Sequence, residues 1–157
     1  VSADSTARPL DPRATRNEAA VMHFLDGLHD LETPDLTVAL EPFADDAVYQ
    51  SLVPRRAPMQ GKATIKAELE QQFTRYQECV CEIVAIAAND RHVFTERRDH
   101  VTMKEFGRRI FSSVNAVFEF DDDGRIVAWR EYWDALDIAT QLGLSADEMK
   151  RLHGIVD

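Results

Sequence analysis

Residues 79–133, CVCEIVAIAANDRHVFTERRDHVTMKEFGRRIFSSVNAVFEFDDDGRIVAWREYW, decide the fold. Four strand-like runs lie within them, Cys79–Ala88, His92–Met103, Arg109–Phe120 and Arg125–Trp133, rich in β-branched and aromatic residues. Turn signals at Asn89-Asp90, around Phe106-Gly107 and over Asp121–Gly124 separate them. Runs joined this closely predict an antiparallel meander.

Outside this stretch the pattern turns helical. A first helix is predicted from Thr15, with Glu18 three residues on completing a capping box. Val21, Phe24, Leu25, Leu28 and Leu31 share one face of it. Pro34 marks a turn, Asp35 to Leu40 a short helix, and Ala47 to Leu52 a strand. The loop from Val53 to Gly61 leads into a third helix, striped by Ile65, Leu69, Phe73 and Tyr76. Beyond Asp134 the chain reads as helical again, with a capping box at Ser145 and Glu148 and a stop at Gly154. This order predicts an α+β fold, a curved and mostly antiparallel mixed sheet wrapped around three to four helices. Such a sheet forms a cone with a pocket open at one end. The expected boundaries are a loose leader over residues 1–14 and a single domain over 15–157.

Composition limits the partners. The net charge of −10 disfavours nucleic acid and anionic membrane surfaces, which need a positive face. No apolar run approaches the length of a transmembrane helix, and the polar N-terminal stretch has no signal core, so a cytoplasmic protein is expected. Cys79 and Cys81 fall on one strand face and read as reduced thiols. No residues have metal-ligand spacing and no glycine-rich loop could cradle phosphate, so no cofactor is implied. The five histidines, His23, His29, His92, His100 and His153, fall mainly on predicted polar faces. Arg55 and Arg56, in the expected mouth loop, read as exposed cations.

The informative charges are those on an inward face. Alternation along His92–Met103 puts Val93, Thr95, Arg97, Asp99, Val101 and Met103 on one side. Along Arg125–Trp133 it groups Val127, Trp129, Glu131 and Trp133. A carboxylate among aromatics must be paired, protonated or functional, and Arg97 is the evident partner. An Arg fork shared by Asp99 and Glu131 leaves a net negative site that readily holds one proton, which suits paired general acid and base chemistry. A structural role, tying two strands together, fits the same pattern.

At these residues the sequence resembles the limonene-1,2-epoxide hydrolase family, within the wider group similar to nuclear transport factor 2 and the SnoaL cyclases. Val93 to Asp99 is similar to the strand carrying that family's Arg-x-Asp, Gly124 to Asp134 to the strand of its second carboxylate, and Ala47 to Ser51 to the strand of its water-holding Tyr. The likeness spans roughly Asn17 to Leu144. It implies one-step hydrolysis without a cofactor, with Asp99 as general acid, Glu131 as general base, Arg97 bridging them and Tyr49 holding the water. It also implies a homodimer through the open sheet face and a small-molecule substrate.

Two positions depart from the family. Its base is an Asp where this chain has Glu131, longer by about 1.5 Å of bond. Its water-binding Asn is replaced by Ser51, which keeps one hydroxyl. The positions matched to its pocket lining are Leu28, Gln72, Tyr76, Glu78, Val101, Ser112, Val114, Trp133 and Ile138, a more polar set. An epoxide larger or more polar than limonene oxide is therefore expected. The alternatives are an isomerase, cyclase or dehydratase acting on a polyketide- or steroid-like ring, and a non-catalytic ligand-binding dimer module.

Overall fold

A computed structural model describes residues 11–29 and 34–155. The first helix, α1, spans Pro12–Asp26. It begins earlier than Thr15 because Asp11 caps it, accepting from the Arg13 amide at 2.8 Å, and Pro12 sits where a missing N–H costs nothing. Residues 12–14 are thus helical rather than leader, and the helix ends before Leu28. Leu31 and residues 1–10 of the expected leader lie outside the described residues. Phe24 is fully buried and meets Phe43 and Trp129 edge-on, each at 4.9 Å between centroids. Burial of such a ring is worth about 1.5–3 kcal/mol.

The short helix α2 (Leu36–Ala39) is capped by Asp35. The strand β1 (Phe43–Gln50) begins four residues ahead of expectation. Asp45 and Asp46 look like turn residues, but they are exposed at a register shift between Phe43 and Val48, where the strand tolerates them. A two-residue strand, β2 (Met59–Gln60), lies inside the expected loop, and α3 (Lys62–Arg75) buries Ile65 and Leu69. The meander follows as β3 (Tyr76–Ala88), β4 (His92–Met103), β5 (Arg108–Phe120) and β6 (Ile126–Trp133). Asn89 forms the β3–β4 turn with its side chain, accepting from the amides of Arg91 and His92.

The six strands form one sheet in the order β2-β1-β6-β5-β4-β3. Only β1 with β6 is parallel. Register shifts at Gln77/Val80 and Ile83/Ala85 add local twist to β3, and curl the sheet over α1 and α3. Buried Asn17 ties α1 to the β3–β4 turn, donating to the carbonyls of Asn89 and Asp90 at 3.3 and 3.1 Å. The chain continues as α4 (Ala135–Leu142) and α5 (Ala146–His153), so the described residues hold five helices where three to four were expected. Gly143, in the left-handed region at φ 72°, separates the last two. The capping box of Ser145 and Glu148 is formed as read, and Gly154 ends α5. Among the described residues, no helix is long and apolar enough to cross a membrane.

The core falls into two parts. One joins α1, α2, α3 and the sheet through Val21, Phe24, Phe43, Phe118 and Ile126, and the other joins Met103 and Ile110 to Ile138, Leu142 and Met149. A cavity lies between them.

Candidate active site

The β4 register opposes Arg97 to Val114 and Asp99 to Ser112 on β5, and Asp99 to Cys81 on β3. On the next strand pair Val114 faces Trp133 and Ala116 faces Glu131. All of these positions except Ala116 line a cavity of about 150 Å³. All but one of the catalytic and binding positions expected from the sequence are on its wall: Tyr49 from β1 and Ser51 just after it, Gln72 and Tyr76 from α3 and its end, and Leu28 after α1. Arg97, Asp99, Val101, Ser112, Val114, Glu131 and Trp133 come from the meander, and Ile138 from α4. Glu78 is the exception among the matched positions. It takes φ 54° at the start of a bulge, so its side chain leaves the cavity for solvent, where Thr102 donates to it at 2.7 Å.

The cavity wall also includes residues outside that set. Cys79 and Cys81 are free thiols on its wall, and strand alternation beside Asp99 was the available signal. Trp129 stacks on Tyr49 at 3.8 Å and 13°. His153 is on the wall rather than in solvent, set against Trp133 at 5.2 Å; its spacing from buried Met149 marked that face of α5. Arg56 turns inward instead of facing water, and nothing in its local sequence signals that.

The carboxylates are joined as the strand faces implied. Arg97 Nε and Nη2 donate to the two oxygens of Asp99 at 3.2 and 3.0 Å. Nη2 also donates to Glu131 Oε1 at 2.6 Å, and Tyr49 donates its hydroxyl to Glu131 Oε2 at 3.0 Å. The longer Glu side chain is therefore anchored at both oxygens. The Glu131 side chain is 11% exposed and that of Asp99 20%, so Asp99 is the member nearer open space.

Burial pushes the Glu131 carboxyl above its ordinary value, and the Asp99 charge adds to this against the opposing pull of Arg97 and the Tyr49 hydroxyl. Burial and the neighbouring Glu131 hold the Tyr49 phenol well above its ordinary value, so it stays a donor. Burial works against the charge on Arg97, but Glu131 and Asp99 outweigh it and keep the guanidinium protonated.

His153 is pushed down to about 4, chiefly by burial and then by the charges of Arg56 and Arg75. A depressed histidine contributes stability that is present above its ordinary 6.5 and lost as pH falls towards the folded value. His153→Phe keeps the ring contact and removes that proton site. Thermal unfolding across pH 7 to 4 therefore falls less steeply in the variant than in the parent protein.

Fold and site together define a class: a small α+β domain whose sheet encloses a ligand cavity with an arginine-bridged carboxylate pair at its wall. Residues 21–129 match the SnoaL-like domain, and the chain belongs to that family. Among solved structures it is similar to an LEH-like epoxide hydrolase of M. tuberculosis, at 30% identity over 83% of this chain and 92% of that one, with a TM-score of 0.69. A candidate SnoaL-like polyketide cyclase from Jannaschia sp. CCS1 has a TM-score of 0.77 at 14% identity, covering 88% and 99% of the two chains. A candidate isomerase from Bacillus subtilis reaches 0.67 at 21% identity, covering 83% and 95%. The last two share the fold alone. No curated protein matches the sequence.

Proposed function

We propose that this chain adds water to an epoxide in one step, using Asp99 as general acid and Glu131 as general base. The observation that carries this reading is the Arg97 fork that holds both carboxylates while Tyr49 donates to the free oxygen of Glu131. The 30% identity to an LEH-like epoxide hydrolase supports it.

Glu131 removes a proton from water as the water oxygen bonds to an epoxide carbon. The carbon–oxygen bond on that carbon breaks, and Asp99 protonates the departing oxygen to give a diol. A protonated carboxyl group keeps acceptor capacity, so Asp99 carries this proton without releasing Arg97. Return of the proton from Glu131 to Asp99 restores the resting pair. The departure from Asp to Glu is absorbed by the anchoring of both Glu131 oxygens. Ligand cavities for drug-sized molecules run to about 300–1,000 Å³. At about 150 Å³ this cavity favours a compact, oxygenated epoxide over a larger ring system.

A second reading follows from the same pair. Two carboxylates sharing a proton also serve an isomerisation or cyclisation in which no water is added, and the fold is shared with a candidate cyclase and a candidate isomerase. Turnover of a small-epoxide panel in oxygen-labelled water separates the two. The expected product is a diol with one label on carbon within a single turnover. A product of unchanged mass, or one lighter by water, selects the second reading.

A further inference from the structure

Ser51 follows the end of β1, two residues after Tyr49, and faces the same cavity. The parallel register pairs Tyr49 with Trp129 and Gln50 with Arg130, which sets Ser51 beside Glu131. Its backbone is pinned to β6: Trp133 Nε1 donates to the Ser51 carbonyl at 2.6 Å, and the Val53 amide donates to the Glu131 carbonyl at 3.0 Å. The Ser51 hydroxyl therefore faces the same cavity as the carboxylate that the proposed reaction uses as base.

A serine hydroxyl has one proton and can turn it in several directions. Arg56 narrows that freedom. Its Nη1 donates to Ser51 Oγ at 2.8 Å and to Glu68 Oε1 at 2.9 Å, and Gln72 donates to the same Glu68 oxygen at 3.2 Å. The Arg56 backbone is held too, its amide donating to Leu52 at 2.8 Å and its carbonyl accepting from Gln50 at 2.7 Å. Ser51 Oγ is then an acceptor towards Arg56, and among the described residues it donates to no protein group. Its proton is left pointing at whatever oxygen occupies the cavity.

We propose that Arg56 is a positioning residue: by occupying Ser51 Oγ as an acceptor, it commits the Ser51 proton to the water held at Glu131. This rests on the hydrolytic reading for its kinetic consequence, but not for the water site itself. Arg56 does not touch the reacting atoms. Its charge is matched by Glu68, so it acts as an oriented donor rather than as a free cation for substrate.

The test uses the identity of residue 51. An asparagine amide carries two N–H donors that need no such orienting partner. In the parent protein, Arg56→Met lowers kcat by about 100-fold, the scale of a misplaced reactant, with KM little changed. In a Ser51→Asn background the same substitution costs about twofold, the scatter expected of independent sites. An equal loss in both backgrounds overturns the proposal, because Arg56 would then act without Ser51. Arg56→Lys retains a donor for Ser51 and is expected to hold kcat within about twofold of the parent, so a Lys variant slowed about 100-fold overturns the proposal even should the Met variant fail to fold.

Crystal structures separate this inference from the reaction. An ordered water bridging Ser51 Oγ and Glu131 is expected in the parent protein, lost or displaced in Arg56→Met and kept in Ser51→Asn/Arg56→Met. That result upholds the inference even if no epoxide is hydrolysed. A parent crystal with no water between those groups overturns it even if hydrolysis is observed.

Discussion

Glu131→Gln lowers kcat for epoxide hydrolysis by about 100- to 10,000-fold, the range spanned by general acid–base catalysis. The amide keeps the shape of the side chain, with an oxygen for Arg97 and a polar group for Tyr49, so the fold survives while the proton acceptor is lost. The acid limb of the rate profile disappears with it, since no group at that position ionises to arm the site. Rate profiles of parent and variant over pH 4 to 9 check this. A variant retaining most of its turnover would remove Glu131 from the mechanism and leave the carboxylate pair a structural feature.

The sign of the stability change follows from the raised Glu131 carboxyl. A group held above its ordinary 4.5 contributes stability that is fully present below that value and lost as pH rises through the folded one. Glu131→Gln therefore flattens this part of the stability profile, gaining on the parent as pH rises beyond 4.5.

Arg97→Met has the largest expected effect on the fold. Arg97 is 3% exposed and is the cation serving both carboxylates, so removing it strands buried negative charge. Breaking one side of a buried ion pair costs about 3–5 kcal/mol. The loss is greatest at neutral and alkaline pH. The downward pull of Arg97 on Glu131 is gone, so the carboxyl rises further and the window in which protonation stabilises the fold extends to higher pH. Denaturant unfolding at pH 5 and pH 8 is the measurement. A deficit that shrinks on acidification is expected, and one that is constant with pH would mean that Arg97 acts by packing. Arg97→Lys recovers little, because one ammonium cannot present two donors to Asp99 and one to Glu131 in a fixed plane.

The meander and the placement of Arg97, Asp99 and Glu131 were legible because strand alternation has a short, strict period. One residue of register error would send all three outward, and the hydrophobic neighbours Val93, Trp129 and Trp133 forbid that. Helix starts were less legible. Thr15 with Glu18 satisfies a capping box in sequence, yet Asp11-Pro12 makes the stronger start. Glu78 was matched to the lining by resemblance, and the register shift between Gln77 and Val80, where it takes φ 54°, turns that position out to solvent.

The sequence by itself determined the order of elements, the inward face of each meander strand and the identity of the charged groups on it. Those are local properties, set by the period of each segment and by the cost of burying an unpaired charge. Only the tertiary structure decided which distant segments complete the site. Arg56 in the mouth loop, His153 at the end of α5 and the free thiols of Cys79 and Cys81 line the same cavity as the carboxylates because the curled sheet closes over them. No periodicity records that closure. It depends on the twist added by bulges and on the parallel pairing of β1 with β6, strands far apart in the chain whose side chains become neighbours only when the sheet forms.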